Sequence, residues 1–478
     1  MAGIGFQLKK LFRDEGILVN LKAYGYSTIV TIGPMALCIC LIIFSQYLLI
    51  AVGTPLVERD RFMAATQYSF IFSQILTGGF NMVISRYVAD MTFIKKEENV
   101  LASMYGLITI CLFFGGILCF LLYFNSPLSI SFKLTSYIFF CELIIIWIQC
   151  MYVSALKDYM RIVKSFVIGV IVAGVLTWVA IVVLDYNNAV TLFICLDIGF
   201  LVIILMFLQN IKRFFRINNL SYFNFLIYIE RYPLLLLTGF LYTFGLYAHN
   251  FVVWMRSEHQ VIVDRTFFIA PFYDVPVFYA YLTILPAMVI FMVSVETSFY
   301  DSYKLYYQRI LEGFSLQDIM IAKKNMFDII SVELKFLTEV QLFITIASIA
   351  AGTQLLPKIG MTSEQIHIFT ILVIGNLFFS IMFTCILILL YFDAQKDTVI
   401  TTILFALSSL VITIITTWVE NYGFAWFLST FICLVLVLKR LKNYLNDIDY
   451  YTFCSQPLVN VKKEYKTEQV LSKINPYI

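Results

Sequence analysis

The chain has 478 residues, of which 61% are hydrophobic and 13% are charged, and its mean hydropathy is +0.88. This composition excludes an ordinary soluble domain and predicts a polytopic membrane protein. The formal net charge is only +3, and the basic residues lie mainly between apolar runs, so the charge reports membrane topology rather than nucleic-acid binding.

Twelve apolar runs of roughly 20 residues are each long enough to cross a hydrocarbon core of about 30 Å as a helix. The two-residue alternation of barrel strands is absent, so we expect an all-α fold. A basic connection in mid-chain separates six runs from six, which predicts two six-helix halves related as internal repeats. The runs lie near residues 27–52, 64–89, 100–123, 135–156, 166–184, 190–209, 232–255, 275–297, 338–356, 367–392, 398–419 and 424–438.

The loops predict the orientation of these helices. If the N-terminus is cytoplasmic, 27 of the 33 Lys and Arg residues lie in cytoplasmic segments and 6 lie outside. This asymmetry predicts that both termini are cytoplasmic. The first apolar run follows Lys9, Lys10 and Arg13, but it is longer than the core of a signal peptide, so we interpret it as a retained helix.

The positions of the apolar runs and of the basic loops also predict how the rest of the chain is organised. Residues 298–336 form the longest cytoplasmic connection, and we expect an interfacial helix there. Its Tyr303, Tyr306 and Tyr307 would form an aromatic face for lipid headgroups or for a partner protein. The predicted segments are a cytoplasmic amphipathic helix (1–26), the N-terminal half (27–209), a cytoplasmic linker (210–231), the C-terminal half (232–438) and a cytoplasmic tail (439–478).

Helix-breaking and polar residues concentrate in spans one, two, seven and eight, which are matched positions in the two halves. Broken, polar helices at matched positions are typical of the central pathway of a transporter, because irregular backbone at membrane depth must face protein or water. The alternative is that Pro and Gly are simply common in membrane helices, where the Gly78-Gly79 pair would allow close packing. The candidate pathway residues in these spans are Pro34, Gln74, Asn81, His249, Asn250, Tyr273, Asp274, Tyr279, Pro286 and Glu296, with Arg86 and Asp90 at the cytoplasmic boundary.

Glu142 and Asp197 are the deepest carboxylates, in spans four and six, and complete the pathway candidates. Each would either take up a proton as a coupling site or form a hydrogen-bonded helix contact. His249 would either bind sugar hydroxyls or serve as a satisfied interhelical histidine. The cores of the predicted spans contain no Lys or Arg, which favours a substrate without strong negative charge.

Motifs of enzymes and metal sites are absent from the sequence. There is no phosphate-binding loop, no H-E-x-x-H and no G-x-S-x-G, and the three histidines are widely spaced. Nine of the ten cysteines lie inside predicted spans, so neither a disulfide framework nor a zinc site is expected. We therefore predict a transporter without catalytic residues, cofactor or metal. An acyltransferase using His249 is the least favoured alternative.

Several motifs resemble the PelG family of Pel exopolysaccharide transporters. They are MAGIGFQLKKLF leading into KAYGYSTIVTIGPMAL, ISRYVAD, APFYDVPVFYAYLTILPAMVIFMVSVET leading into SFYDSYKLYYQRILEGFSLQDI, and LLYFDAQKDTVITTILF. Together they span about residues 1 to 405, and the block at span eight is the most specific of them. The linker and the tail carry no such motif.

The resemblance implies a twelve-helix member of the multidrug/oligosaccharidyl-lipid/polysaccharide exporter superfamily in the cytoplasmic membrane of a bacterium. It implies export of an N-acetylgalactosamine-rich biofilm polymer, together with a PelF-like cytosolic glycosyltransferase and PelD- and PelE-like membrane proteins. No residue roles follow from it. A lipid-linked oligosaccharide flippase, a cation-coupled antiporter of the same superfamily and a non-conducting scaffold remain the alternatives.

Overall fold

The computed structural model describes residues 17–155, 159–215, 219–294, 298–454 and 465–469. Most of the predicted N-terminal amphipathic helix and the candidate Glu296 lie outside these ranges. We call the membrane side that is predicted to be cytoplasmic the inner side, and the opposite side the outer side.

Six long helices form the N-terminal half. The fifth is extended at its outer end by a π-helical turn, Val179–Val183. The helices are α1 (Ile17–Ala51), α2 (Leu56–Phe93), α3 (Glu98–Tyr123), α4 (Ile130–Ala155), α5 (Tyr159–Trp178) and α6 (Ala189–Phe214).

The linker contains one short helix, α7 (Leu226–Arg231), and the C-terminal half begins with α8 (Pro233–Arg256). A two-stranded hairpin and eight further helical segments follow. They are β1 (Val261–Val263), β2 (Phe267–Ile269), α9 (Pro271–Leu282), α10 (Leu285–Ser294), α11 (Tyr300–Leu311), α12 (Leu316–Leu355) with the 3-10 turn Leu356–Ile359, α13 (Ser363–Tyr391), α14 (Gln395–Trp418), α15 (Phe424–Asn446) and the π-helical turn Tyr450–Cys454.

The predicted spans agree with these helices. Within the described ranges, eleven helical stretches are long and apolar enough to cross a membrane, and the eighth of the twelve predicted spans comprises both α9 and α10. The remaining span lies on α2, which is 38 residues long but carries more polar side chains. The all-α polytopic fold is therefore confirmed, and each of the twelve predicted spans falls on a helix.

The hairpin at the outer side was not predicted. Strands β1 and β2 pair antiparallel, with Val261 opposite Ile269 and Val263 opposite Phe267. Asp264 (φ +47°) and Arg265 (φ +51°) make the turn, and two successive residues with positive φ form the type of turn that matches the twist of a hairpin. The β-branched and aromatic residues on each side of Asp264-Arg265 are the local signal that the helix-centred sequence analysis missed.

Two helix pairs join the halves. Helix α2 packs along α8, and α1 packs against α10. In the N-terminal half, α6 packs mainly against α5 and α4. In the C-terminal half, the main contacts are between α8 and α14 and between α13 and α15. Spans one, two, seven and eight, which the sequence singled out, are therefore the helices that meet between the halves.

Helices α11 and α12 form an antiparallel pair on the inner side, and α12 is 40 residues long, which corresponds to about 60 Å. Tyr306 is fully buried. The rings of Tyr303 and Tyr307 lie 4.7 Å apart, and Tyr303 also packs on Tyr391 and Phe392. Tyr306 is therefore not available for an exposed aromatic face, while Tyr303 and Tyr307 are half-buried and pack on their own protein, so a docking role for this face stays a prediction.

Candidate transport pathway between the halves

Helices α2 and α8 approach each other closely at a crossing of glycines. A Cβ atom on Gly239 would lie 2.5 Å from the carbonyl oxygen of Gly78, and one on Gly78 would lie 2.2 Å from Oγ1 of Thr243. Side chains larger than hydrogen do not fit at either glycine without moving a helix backbone. The pair that the sequence marked as a helix breaker thus serves close packing within an unbroken helix.

At the outer end, the hairpin of the C-terminal half is attached to α2. Arg61 Nη2 donates to Asp264 Oδ1 at 2.8 Å, and Nε donates to the second carboxylate oxygen. The Tyr68 hydroxyl donates to the Phe268 carbonyl oxygen and accepts from the Phe268 N–H, each at 2.9 Å. Tyr68 also stacks on Trp254 with ring centroids 5.0 Å apart.

A second ion pair joins the halves at the inner end. Arg86 Nη1 donates to Asp393 Oδ1 at 2.6 Å, and its guanidinium lies 4.2 Å from the centroid of the Tyr232 ring. Asp90, the other predicted boundary residue, accepts a 3.0 Å hydrogen bond from the Tyr228 hydroxyl of α7. The structure therefore gives both boundary residues partners, and it places Arg86 between the two halves.

The contact between α1 and α10 has a different chemistry. Val30, Val163 and Val293 form a small apolar cluster that is separate from the main core. Pro34 lies one turn farther along α1 and is half-buried. The two contacts between the halves therefore differ in their side chains.

His249 lies in a hydrogen-bonded triad within the C-terminal half. Its Nδ1 lies 2.9 Å from the Tyr273 hydroxyl, and its Nε2 lies 2.8 Å from the Tyr281 hydroxyl. The Tyr281 hydroxyl donates its proton to the Leu246 carbonyl oxygen at 2.7 Å, so it accepts from His249 Nε2–H, and Nδ1 accepts from Tyr273. The geometry assigns a neutral imidazole with both nitrogens satisfied.

Asp274 ties α8 to the start of α9. Its carboxylate accepts from Asn250 Nδ2 and Trp254 Nε1, both at 2.9 Å, and from the Ala270 N–H at 3.1 Å. These three donors, one of which is the backbone N–H of the residue before α9, hold the carboxylate against α8 and the start of α9. The predicted residues Asn250 and Asp274 thus hydrogen-bond to each other and connect α8 to α9 near the outer side.

The interruption between α9 and α10 is the broken backbone predicted for span eight. Pro286 is the second residue of α10, a position that tolerates a missing N–H. Asn376 Nδ2 donates to the Ala280 carbonyl oxygen at 2.6 Å, and Gln341 Nε2 donates to the Thr283 carbonyl oxygen at 3.1 Å. Buried amides of α13 and α12 therefore satisfy the backbone carbonyls next to the break.

The remaining candidate residues have fewer hydrogen-bond partners. Glu142 on α4 is buried and Asp197 on α6 is half-buried, and each has one buried carboxylate oxygen without a hydrogen-bond partner among the described residues. Gln74 accepts a hydrogen bond from the Tyr247 hydroxyl across the halves. Tyr279 is half-buried beside Phe278, and Asn81 is exposed.

Sequence reasoning missed several residues that build these contacts. Arg61, Asp264 and Asp393 lie in or beside loops, where a charged residue carries no signal of its own. Asn376 and Gln341 are lone amides inside apolar spans, and that polarity is a signal that could have found them. In the part of the chain that the structure describes, no group of three or more His, Cys, Asp or Glu is placed to hold a metal ion.

The fold is that of the MOP superfamily, which includes the MATE transporters. A eukaryotic MATE transporter, AtDTX14, superposes with a TM-score of 0.60 at 9% identity, covering 88% of this chain and 95% of that chain. A MOP superfamily transporter from Pyrococcus furiosus gives 0.57 at 12% identity, covering 90% and 96%. The MATE transporter ClbM in complex with Rb⁺ gives 0.52 at 14% identity, covering 92% and 97%.

The polytopic helical fold of this chain, whose halves meet along two helix pairs, is therefore a MATE-like transporter fold. The family model described as "PelG: Putative exopolysaccharide Exporter (EPS-E)" matches residues 1–453. The chain belongs to the PelG family. No curated protein sequence matches it significantly.

Proposed function

We propose that this protein exports the Pel polysaccharide, an N-acetylgalactosamine-rich polymer, across the cytoplasmic membrane of a bacterium. Family membership supports the role in exopolysaccharide export. The observation that carries the choice of polymer is the set of side chains where the halves meet. Amides and hydroxyls are among the polar side chains there, and Arg61 and Arg86, which lie between the halves, are each paired with an aspartate.

A strongly anionic substrate would require basic side chains at membrane depth, whereas sugar hydroxyls and acetamido groups pair with neutral donors and acceptors. The glycine crossing and the glycan-compatible side chains lie on the same helices, α2 and α8. Gln74 and Asn81, the candidate pathway residues in α2, are therefore proposed to line the route of the polymer.

Deletion of the gene tests the export role. We expect secreted polymer to disappear while the cytosolic glycosyltransferase keeps its activity in cell extracts. Restoration by the wild-type gene is the control. Normal secretion by the deletion strain would refute the proposal, and loss of transferase activity would instead indicate a scaffold that only maintains the synthase.

We further propose that a PelF-like glycosyltransferase and PelD- and PelE-like proteins act with this chain. The support is the length of α12, because a helix of 40 residues is about 60 Å long and exceeds a hydrocarbon core of about 30 Å, so we expect its first part to extend with α11 beyond the inner side of the membrane. At the tip of this helix pair, Leu311, Phe314 and Leu316 are 87%, 49% and 72% exposed. Photocrosslinkers at these positions should capture the transferase, and crosslinks found only at other surfaces would refute the assignment.

Cation-coupled transport is a second candidate, and one observation favours it. Glu142 and Asp197 each keep a buried oxygen without a hydrogen-bond partner among the described residues, on helices that pack together. A carboxylate in that setting is suited to taking up a proton or a cation. In proteoliposomes, Asp197→Asn and Glu142→Gln should abolish export driven by an imposed proton or sodium gradient. Unchanged gradient dependence in both variants would exclude this pair as the coupling site.

A further inference from the structure

Helix α2 carries a polar side chain at every seventh position across the membrane: Asp60, Gln67, Gln74 and Asn81. Seven residues advance a helix by about 10.5 Å and rotate it by only about 20° from two full turns, so these side chains share one face. The four positions extend over about 31 Å, which matches the thickness of a hydrocarbon core. We call this set the amide stripe.

The other faces of α2 are occupied by neighbouring helices. Phe62 packs on Phe193 of α6, Ser73 accepts from the indole of Trp147 on α4, and Gly79 lies against Leu236 of α8. Along the stripe, Asp60, Gln67 and Gln74 are half-buried and Asn81 is exposed, whereas Thr66, Tyr68 and Ser73, which flank the two glutamines, are buried.

In its middle part, the amide stripe is directed toward the C-terminal half. Gln74 accepts from the Tyr247 hydroxyl of α8, and Gln67 interacts with the Asp274 carboxylate of α9. A row of amides facing hydrocarbon would carry a large desolvation cost at each position, whereas a row facing the space between the halves stays solvated by water or by a ligand.

We propose that the amide stripe is the binding track for an extended, uncharged glycan that runs along the membrane normal between the halves. This inference rests on the proposed export function and names the side chains that recognise the polymer. Each amide both donates and accepts hydrogen bonds and carries no charge, which matches hydroxyl and acetamido groups. Asp60, the one charged member, repels an anionic polymer at the outer end.

The regular spacing also explains how a polymer can move. Equivalent sites at equal intervals bind successive segments with similar strength, so a shift along the track exchanges each contact for the next. Conduction generally requires binding that is spread over several weak sites rather than concentrated at one tight site. A single strong anchor would hold the chain and stop export.

Cysteine protection tests the ligand directly. In the otherwise cysteine-free full-length protein, Gln67→Cys and Asn81→Cys should be labelled by a small maleimide, and N-acetylgalactosamine oligosaccharides should slow that labelling several-fold. Galacturonic acid oligosaccharides of equal length should not protect. Equal protection by the anionic oligosaccharide, or protection by neither in a protein that supports export, would overturn the proposal.

Export measurements provide the second arm. Asn81→Leu and Gln67→Leu should each reduce secreted polymer several-fold at equal protein level, and Asn81→Gln should retain most of it. Thr109→Leu removes an exposed polar group from α3 and is the matched control, expected to secrete normally. Full secretion by both leucine variants would refute the track while leaving the export function intact. If secretion does not depend on the wild-type protein at all, the export function itself is refuted.

Discussion

Several polar side chains in this protein connect neighbouring helices by hydrogen bonds. Asn376 is fully buried and is the clearest case, because its Nδ2 donates to the Ala280 carbonyl oxygen while its Oδ1 accepts from Trp426 Nε1 at 2.8 Å. The neighbouring His249 is likewise saturated between two tyrosines. A side chain whose donors and acceptors are all engaged inside one half is suited to holding the broken span, not to binding a moving substrate.

Replacing Asn376 with leucine should therefore destabilise the protein. The substitution leaves the buried Trp426 indole N–H without its acceptor, which costs about 1–3 kcal/mol, and it removes one of the hydrogen bonds to the Ala280 carbonyl oxygen, which still accepts from Thr283. We expect a clearly lower midpoint of thermal unfolding in detergent. Thr370→Val on the same helix removes a hydroxyl that bonds only within its own helix, so it is the control. Equal midpoints for the two variants would contradict this role for Asn376.

At the scale of helices, the apolar runs and the breakers predicted much of the architecture. The twelve spans fall on helices because the length of an apolar run determines whether it can cross the membrane. The break in span eight follows from Pro286, whose missing N–H is tolerated at a helix start. Both features depend on local sequence.

Other elements depend on tertiary contacts that local sequence does not encode. The Gly78-Gly79 pair leaves α2 unbroken because α8 packs directly against it. Tyr303 of α11 is half-buried because it packs on Tyr391 and Phe392 at the end of α13. The partners of Arg61 and Arg86 are more than 200 residues away in sequence, so no single-sequence pattern predicts those pairs.

The glycine crossing makes a prediction about helix packing. A methyl group at Gly239 would meet the Gly78 backbone oxygen at 2.5 Å, so Gly239→Ala should push α8 away from α2. We expect reduced export and a lower unfolding midpoint. Gly174→Ala is the matched control, because the nearest atom to its new methyl group, Leu41 Cδ1, lies at an ordinary contact distance of 3.8 Å. If both variants behave alike, close packing at the crossing is not needed.

At the scale of the whole molecule, two ion pairs at opposite ends of α2 hold the two halves together. Asp264 and Asp393 both adopt positive φ, in turns at the outer and inner sides, and each pairs with an arginine of α2. Alternating exposure of a path between the halves requires that the two ends open separately. The two pairs are placed to oppose opening, one at each end, and each can break without the other.

Charge reversal at the outer end tests this arrangement. Arg61→Asp would place a negative charge beside Asp264 and Glu58, and we expect several-fold faster labelling of Gln67→Cys by a membrane-impermeant maleimide added outside. The double variant Arg61→Asp/Asp264→Arg restores opposite charges and should return labelling toward the original rate. Arg86→Asp changes the pair at the inner end, so it should leave outside labelling unchanged or lower it. Faster outside labelling in Arg86→Asp, or no effect of Arg61→Asp, would show that the two ends of α2 do not open separately.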